Sequence, residues 1–125
     1  MAKRILVVDD DELVLIALRE LLKSRGFAVS TCSRGAEALK RLDEETFDVM
    51  ILDIVMPEMD GFELCSRIRQ KPHGREIPII FLSAKNQEED QKHGLEVGAD
   101  LFLSKPIAPQ KLLTLIEEAL AGERG

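Results

Sequence analysis

The chain has 125 residues, 45% of them hydrophobic, which is enough for one domain with its own core and no covalent staple. Its formal net charge of -6 and pI near 5.0 exclude a nucleic-acid or anionic-membrane surface, since both need clustered Lys and Arg; soluble protein partners are expected instead. No apolar run nears the roughly twenty residues of a membrane span, and the start MAKRILVVDD is too short and too acidic for a signal peptide. Cys32 and Cys65 have neither metal-ligand spacing nor a secreted context, so they are predicted to be reduced core residues of a cytoplasmic protein.

Arg4 to Val8 reads as the first strand. Val14, Ala17, Leu18, Leu21 and Leu22 then recur at helical spacing up to Gly26, a residue suited to the left-handed conformation after a helix. Ala28 to Cys32 is the second strand, and Ser33 is the predicted cap of a second helix that turns Ala36, Leu39 and Leu42 inward. Val49 to Leu52 is apolar throughout, as a central parallel strand must be. After the turn at Pro57, Asp60 is placed to cap a third helix using Leu64, Cys65 and Ile68, which Pro72 stops. IPIIFLS supplies strand four, residues 86 to 97 a polar and weakly patterned helix closed by Gly98, and LFLS strand five. A last helix from Pro109 is predicted to bury Leu112, Leu113, Ile116 and Leu120. Strands alternating with helices mean βαβ units with right-handed crossovers, hence a doubly wound parallel sheet covered on both faces. Residues 1–121 form this domain, and 122–125 are expected to be a tail or the start of a linker.

Ligands on such sheets bind beyond the carboxyl ends of the strands. Those ends carry Asp9 and Asp10, Asp53, Ser83 and Lys105. If the first and third strands are neighbours, three carboxylates converge, and a like-charge pair at about 4 Å costs on the order of 4 kcal/mol at an effective dielectric of 20. A hard cation with oxygen ligands, Mg²⁺ above all with Mn²⁺ as a substitute, or a retained proton makes that arrangement tolerable. Carboxylates beside a hydroxyl and an ammonium suit a nucleophilic Asp accepting a phosphoryl group. Asp11 reads as a helix cap, Asp48 and Asp100 as structural, and His73 and His93 as surface residues.

At VVDDD, ILDIVMPEMDG, FLSAK and GADLFLSKP the chain resembles the receiver domains of two-component response regulators, along its whole length. The resemblance implies a flavodoxin-like fold with strand order 2-1-3-4-5 and five helices. It makes Asp53 the phosphoacceptor for a sensor histidine kinase or histidine phosphotransfer protein. It makes Asp10 a direct Mg²⁺ ligand, Asp9 its positioner, and the Val55 carbonyl a further ligand. Ser83 and Lys105 would take phosphoryl oxygens, Phe102 would be the aromatic switch, and the Lys105-Pro106 bond would be cis. Ile107 departs from the aromatic residue often found there. Residues two past the acceptor and two past the hydroxyl tune hydrolysis in this family. Here they are Val55 and Lys85, which neither orient water nor take its proton, so slow self-dephosphorylation is expected. Leu13 and Ile16 lie off the core stripe of the first helix, and are either single exposed apolar residues or a docking site for the kinase.

Other readings fit less well. A phosphatase of the haloacid dehalogenase type needs a second acid where Val55 stands, and a flavin's phosphate would be repelled by residues 9–12. A pseudo-receiver that binds partners without phosphorylation would have lost the acceptor or the acidic pair. The resemblance therefore implies a switch that phosphorylates and slowly dephosphorylates itself, rather than an enzyme acting on other substrates. Its output surface would be the fourth helix, fifth strand and fifth helix, facing an unknown effector. No effector domain follows residue 121, so a stand-alone regulator and one domain of a longer protein are both open.

Overall fold

The computed structural model describes residues 2–122. The expected tail at 122–125 lies outside that range except for Gly122. In chain order the elements are β1 (Arg4–Val8), α1 (Glu12–Lys23), β2 (Ala28–Cys32), α2 (Gly35–Glu44), β3 (Val49–Leu52), α3 (Gly61–Arg69), β4 (Ile79–Ser83), α4 (Glu88–Glu96), β5 (Leu101–Ser104) and α5 (Pro109–Leu120), with a 3-10 turn at Pro72–Gly74. The strands form one sheet in the order β2-β1-β3-β4-β5, all neighbours parallel.

The period of two along each strand divides the interior into two cores. Leu6, Val8, Met50, Leu52, Ile79 and Phe81 face α2 and α3, packed with Leu42, Leu64, Cys65 and Ile68. Ile5, Val7, Val49, Ile51, Ile80 and Leu82 face α1 and α5, packed with Leu15, Leu18, Leu22, Leu112, Leu113 and Ile116. Both faces of β1, β3 and β4 are covered, which is why these strands read as unbroken apolar runs.

Asp11 caps α1, its carboxylate accepting the Leu13 N–H at 3.0 Å, and Asp60 caps α3 through the Glu63 N–H at 2.8 Å. Gly26 has φ +90, as the turn after α1 requires. Several expectations shift by a residue. In α1 Leu15 is buried and Ala17 exposed, because the helix starts at Glu12 and its inner stripe runs Leu15, Leu18, Leu22. Ser33 does not cap α2: Arg34 holds that position, Gly35 and Ala38 turn inward and Ala36 outward. In α5 Ala119 is buried and Leu120 partly so. The fourth helix is shorter than residues 86–97, since the Gln87 and Asp90 side chains and backbones cap one another across its first turn. Cys32 and Cys65 are buried free thiols, pushed up to about 12 and about 11 by burial first of all. Among the described residues, no helix is long and apolar enough to cross a membrane.

Candidate functional site

The register of the sheet assembles the site. Val8 is paired with Leu52 and Cys32, and the ladder continues one step past the strands: the Asp53 N–H donates to the Val8 carbonyl at 2.9 Å, and the Asp9 N–H to the Cys32 carbonyl at 3.1 Å. Asp9 and Asp53 are thereby side by side. On the far side, Ser83 pairs with Ser104 and the Lys105 N–H donates to the Ser83 carbonyl at 3.0 Å, so Lys105 leaves β5 at the same level. The Lys105-Pro106 peptide is cis.

Carboxylate oxygens of Asp9, Asp10 and Asp53 lie within 4.8 Å of one another, a hard-donor cluster able to hold a divalent cation. Asp9 and Asp53 are buried and Asp10 is exposed. The Lys105 ammonium bridges the buried pair, 2.8 Å from Asp9 Oδ2 and 3.3 Å from Asp53 Oδ2. Asp9 Oδ1 accepts the Asp11 N–H at 2.8 Å, and Asp53 Oδ1 the Ile54 N–H at 2.7 Å. Burial pushes the Asp9 carboxyl above the usual carboxylate range, against the opposing pull of its Lys105 and Asp11 hydrogen bonds. Burial also disfavours the Lys105 ammonium, but its bond to Asp9 and the charge of Asp53 outweigh this and hold it above the usual lysine value.

Ser83 is buried, and its hydroxyl accepts the Lys85 N–H at 3.2 Å; it does not cap α4, whose N-cap is Gln87. The Phe102 ring is partly buried, 5.9 Å from that of Phe81 and seated over Gly94, where an added Cβ would approach both rings at 3.1 Å. Val55 is 58% exposed, Leu13 77% and Ile16 41%. Asp48 and Asp100 are structural, accepting the Arg4 and Ile79 N–H groups at 2.7 and 2.9 Å. His93, although exposed, stacks on Phe62 with centroids 4.0 Å apart.

Three residues escaped sequence reasoning. Gly61 lets α3 start against the acceptor loop: an added Cβ would overlap the Asp53 carbonyl, and its N–H donates to the Ile54 carbonyl at 2.7 Å. The Asp60-Gly61 pair was its signal. Asp90 is buried in α4 and bonded to Lys85 at 3.1 Å; its capping box with Gln87 lacks the usual Ser or Thr and Glu or Gln, so it left no local signal in the sequence. Arg69 ties α3 to surrounding loops, and nothing in the local sequence announces it.

A five-stranded parallel sheet of this order defines a flavodoxin-like α/β domain, here with an acidic cluster and a lysine at its carboxyl edge. Residues 5–117 match the model of the response regulator receiver domain, and the chain belongs to that family; it is a receiver domain of two-component signalling. It is 40% identical over 120 residues to the alkaline phosphatase synthesis transcriptional regulatory protein PhoP of Bacillus subtilis, covering 96% of this chain and 49% of the relative. The chain thus spans about half the length of the curated relatives it matches. Chemotaxis response regulator CheY4 of Vibrio cholerae superposes with a TM-score of 0.89 at 32% identity, over 95% of this chain and 99% of the other. The receiver domain of sensor histidine kinase PA1611 of Pseudomonas aeruginosa superposes with a TM-score of 0.90 at 26% identity, over 97% and 99% of the two chains; that structure has a magnesium ion coordinated in its active site cleft.

Proposed function

We propose that Asp53 accepts a phosphoryl group from a phosphohistidine on a sensor kinase or phosphotransfer protein, and that this switches the surface formed by α4, β5 and α5 toward a downstream effector. The observation that supports this best is the convergence of the Asp9, Asp10 and Asp53 oxygens within 4.8 Å, with Lys105 Nζ against two of them. An Asp53 carboxylate oxygen attacks phosphorus, the bond from phosphorus to the imidazole nitrogen breaks, and the imidazole leaves with the bonding pair and takes up a proton. Asp10 and Asp53, the Val55 carbonyl and the positioning Asp9 would hold Mg²⁺, or Mn²⁺ in its place; when bound it offsets charge on the phosphoryl oxygens. Lys105 and Ser83 would take further oxygens.

On this reading the domain catalyses its own modification and, with Val55 and Lys85 unable to activate water, loses it slowly. Phosphate acts by favouring the active arrangement of Ser83, Phe102 and α4. The exposed Leu13 and Ile16 fit a docking contact with the kinase. Transcriptional output, as the full-length relatives' names describe for them, would belong to sequence beyond this domain.

Incubation with acetyl phosphate and Mg²⁺ should add the mass of one phosphoryl group. Asp53→Asn or a chelator should abolish the gain; uptake that survives either would overturn the assignment. Ile16→Glu should slow transfer from a kinase while leaving acetyl phosphate labelling unchanged.

A further inference from the structure

The fourth helix is attached to the protein differently from the others. α1, α3 and α5 each bury three or more apolar side chains and α2 buries Ala38 and Leu42, whereas the buried residues of α4 are Asp90 and Gly94, and Leu95 is 56% exposed. A helix with no buried apolar stripe is held by the few specific contacts it makes and belongs to the low end of local stability. Its carboxyl end is pinned: Arg69 donates twice to the Gly98 carbonyl, at 3.0 and 2.7 Å, and the Cys65 thiol donates to the Val97 carbonyl at 3.5 Å. Its amino end is tied to the loop after β4. There the Asp90 carboxylate holds the Lys85 ammonium at 3.1 Å and the Gln87 N–H at 2.9 Å, and the Lys85 N–H donates to the Ser83 hydroxyl at 3.2 Å. Between the two ends the His93 ring lies on Phe62 of α3, with centroids 4.0 Å and planes 24° apart. The neighbouring Gly94 has no side chain with which to grip the Phe81 and Phe102 rings beside it.

We propose that His93 is the catch of the switch: its stack on Phe62 holds α4 against α3 in the unphosphorylated domain, and it parts when α4 turns about its Gly98 anchor. This rests on the phosphoacceptor reading above and on the response of Ser83 and α4 stated there. A Ser83 hydroxyl drawn toward a phosphoryl oxygen takes with it the Lys85 N–H that it accepts, and Asp90 passes that pull to the first turn of α4, the end farthest from the anchor. At roughly 1.5 Å per residue, His93 stands about 7.5 Å from Gly98 and Glu88 about 15 Å, so His93 moves about half as far as the first turn. A gap of about 1 Å between packed groups forfeits up to about half of their attraction, so a small turn is enough to part the rings. The stack therefore stabilises one arrangement and not the other, and such a contact biases the equilibrium between them.

The test measures affinity for beryllofluoride, a mimic of the phosphoryl group, in excess Mg²⁺, followed by the amide resonances of Gly94 and Gly98 in wild type, His93→Asn and His93→Phe. Histidine, asparagine and phenylalanine have similar helix propensity, and only asparagine lacks a ring to stack. His93 is exposed, so neither variant disturbs the core. Apparent affinity scales with the fraction of molecules already in the binding arrangement, so His93→Asn should tighten beryllofluoride about fourfold, the worth of one aromatic pair, while His93→Phe stays within about twofold of wild type. A stack that served stability alone would lower the urea midpoint of His93→Asn and leave its affinity where it was. That result, a weakened affinity, or an equal tightening in His93→Phe overturns the proposal. A wild type that gains no phosphoryl mass from acetyl phosphate and Mg²⁺ overturns the phosphoacceptor reading itself, and this inference with it.

Discussion

Two clusters of shielded charge lie at opposite ends of the sheet, and they are built differently. At the amino ends of β4 and β5, Arg69 donates to the carbonyls of Gly98 at 3.0 and 2.7 Å, Gly74 at 2.9 Å and Ile77 at 2.6 Å, and meets Asp100 at 3.2 Å. Asp100 in turn accepts the Ile79 N–H. One cation faces one anion, and the remaining guanidinium N–H groups end on carbonyls. At the carboxyl ends, Asp9, Asp10 and Asp53 crowd together with Lys105 bridging two of them. The first cluster is balanced and holds loops; the second carries surplus negative charge, which costs stability until a ligand offsets it. A balanced buried charge is architecture, and an unbalanced one is a binding site awaiting its counter-charge.

Removing the balanced cluster should hurt most. Arg69→Met strands carbonyls of three segments, and urea unfolding should show a loss of about 3 kcal/mol, since each stranded buried group costs 1 to 3. If the loss is under about 1 kcal/mol, the cluster is ornamental and the contrast fails. The unbalanced cluster should respond to its ligand instead: Mg²⁺ at a hundred times its dissociation constant should stabilise the protein by about 2.7 kcal/mol, read as a rise in melting midpoint reversed by chelator. Asp10→Asn should remove most of that rise, and Arg69→Met should not.

A smaller effect should come from Asp9. Its carboxyl is held above the ordinary range, so the folded state keeps that proton to higher pH than the unfolded state does. Its ionisation therefore lowers stability as pH rises from the ordinary carboxylate range through the raised value, and the cost persists above it. In chelator, Asp9→Asn should raise the neutral-pH melting midpoint by a few degrees, with the difference disappearing in strong acid. The raised Lys105 carries the same sign at higher pH: its contribution is present at neutral pH and lost as pH climbs through its raised value, beyond the ordinary lysine range. Smallest should be Gly94→Ala in α4. The gain of about 1 kcal/mol from helix propensity is opposed by contact with Phe81 and Phe102, leaving a net change within about 0.5 kcal/mol. The shift should appear in the Phe102 ring resonances instead, because the seat of that ring is what the methyl fills.

Much of this architecture was legible in the chain. Apolar runs with no alternation marked β1, β3 and β4 as central, and Asp11 and Asp60 announced helix starts because a short carboxylate before an apolar period is a local signal. The stripe of α1 was misplaced toward Ala17 because alanine at helical spacing is compatible with either face, and only packing against the sheet selects Leu15. The polar fourth helix was underread for a similar reason. Its buried residues are Asp90 and Gly94, which no hydrophobic period reveals.

By itself the sequence determined which residues could stand at the carboxyl ends of the strands, since strand length and apolar content are properties of short segments. It also determined that Asp9, Asp10 and Asp53 need compensation if they meet. Tertiary structure alone decided that they do meet: parallel pairing of β1 with β3 aligns Val8 with Leu52, 44 positions further on, and continues the ladder with the Asp53 N–H on the Val8 carbonyl. It alone decided the partners of Lys85, Arg69 and Lys105. Long flexible cations have no preferred direction in a local window, and the direction each takes is set by the carboxylate or carbonyl that folding places within its reach.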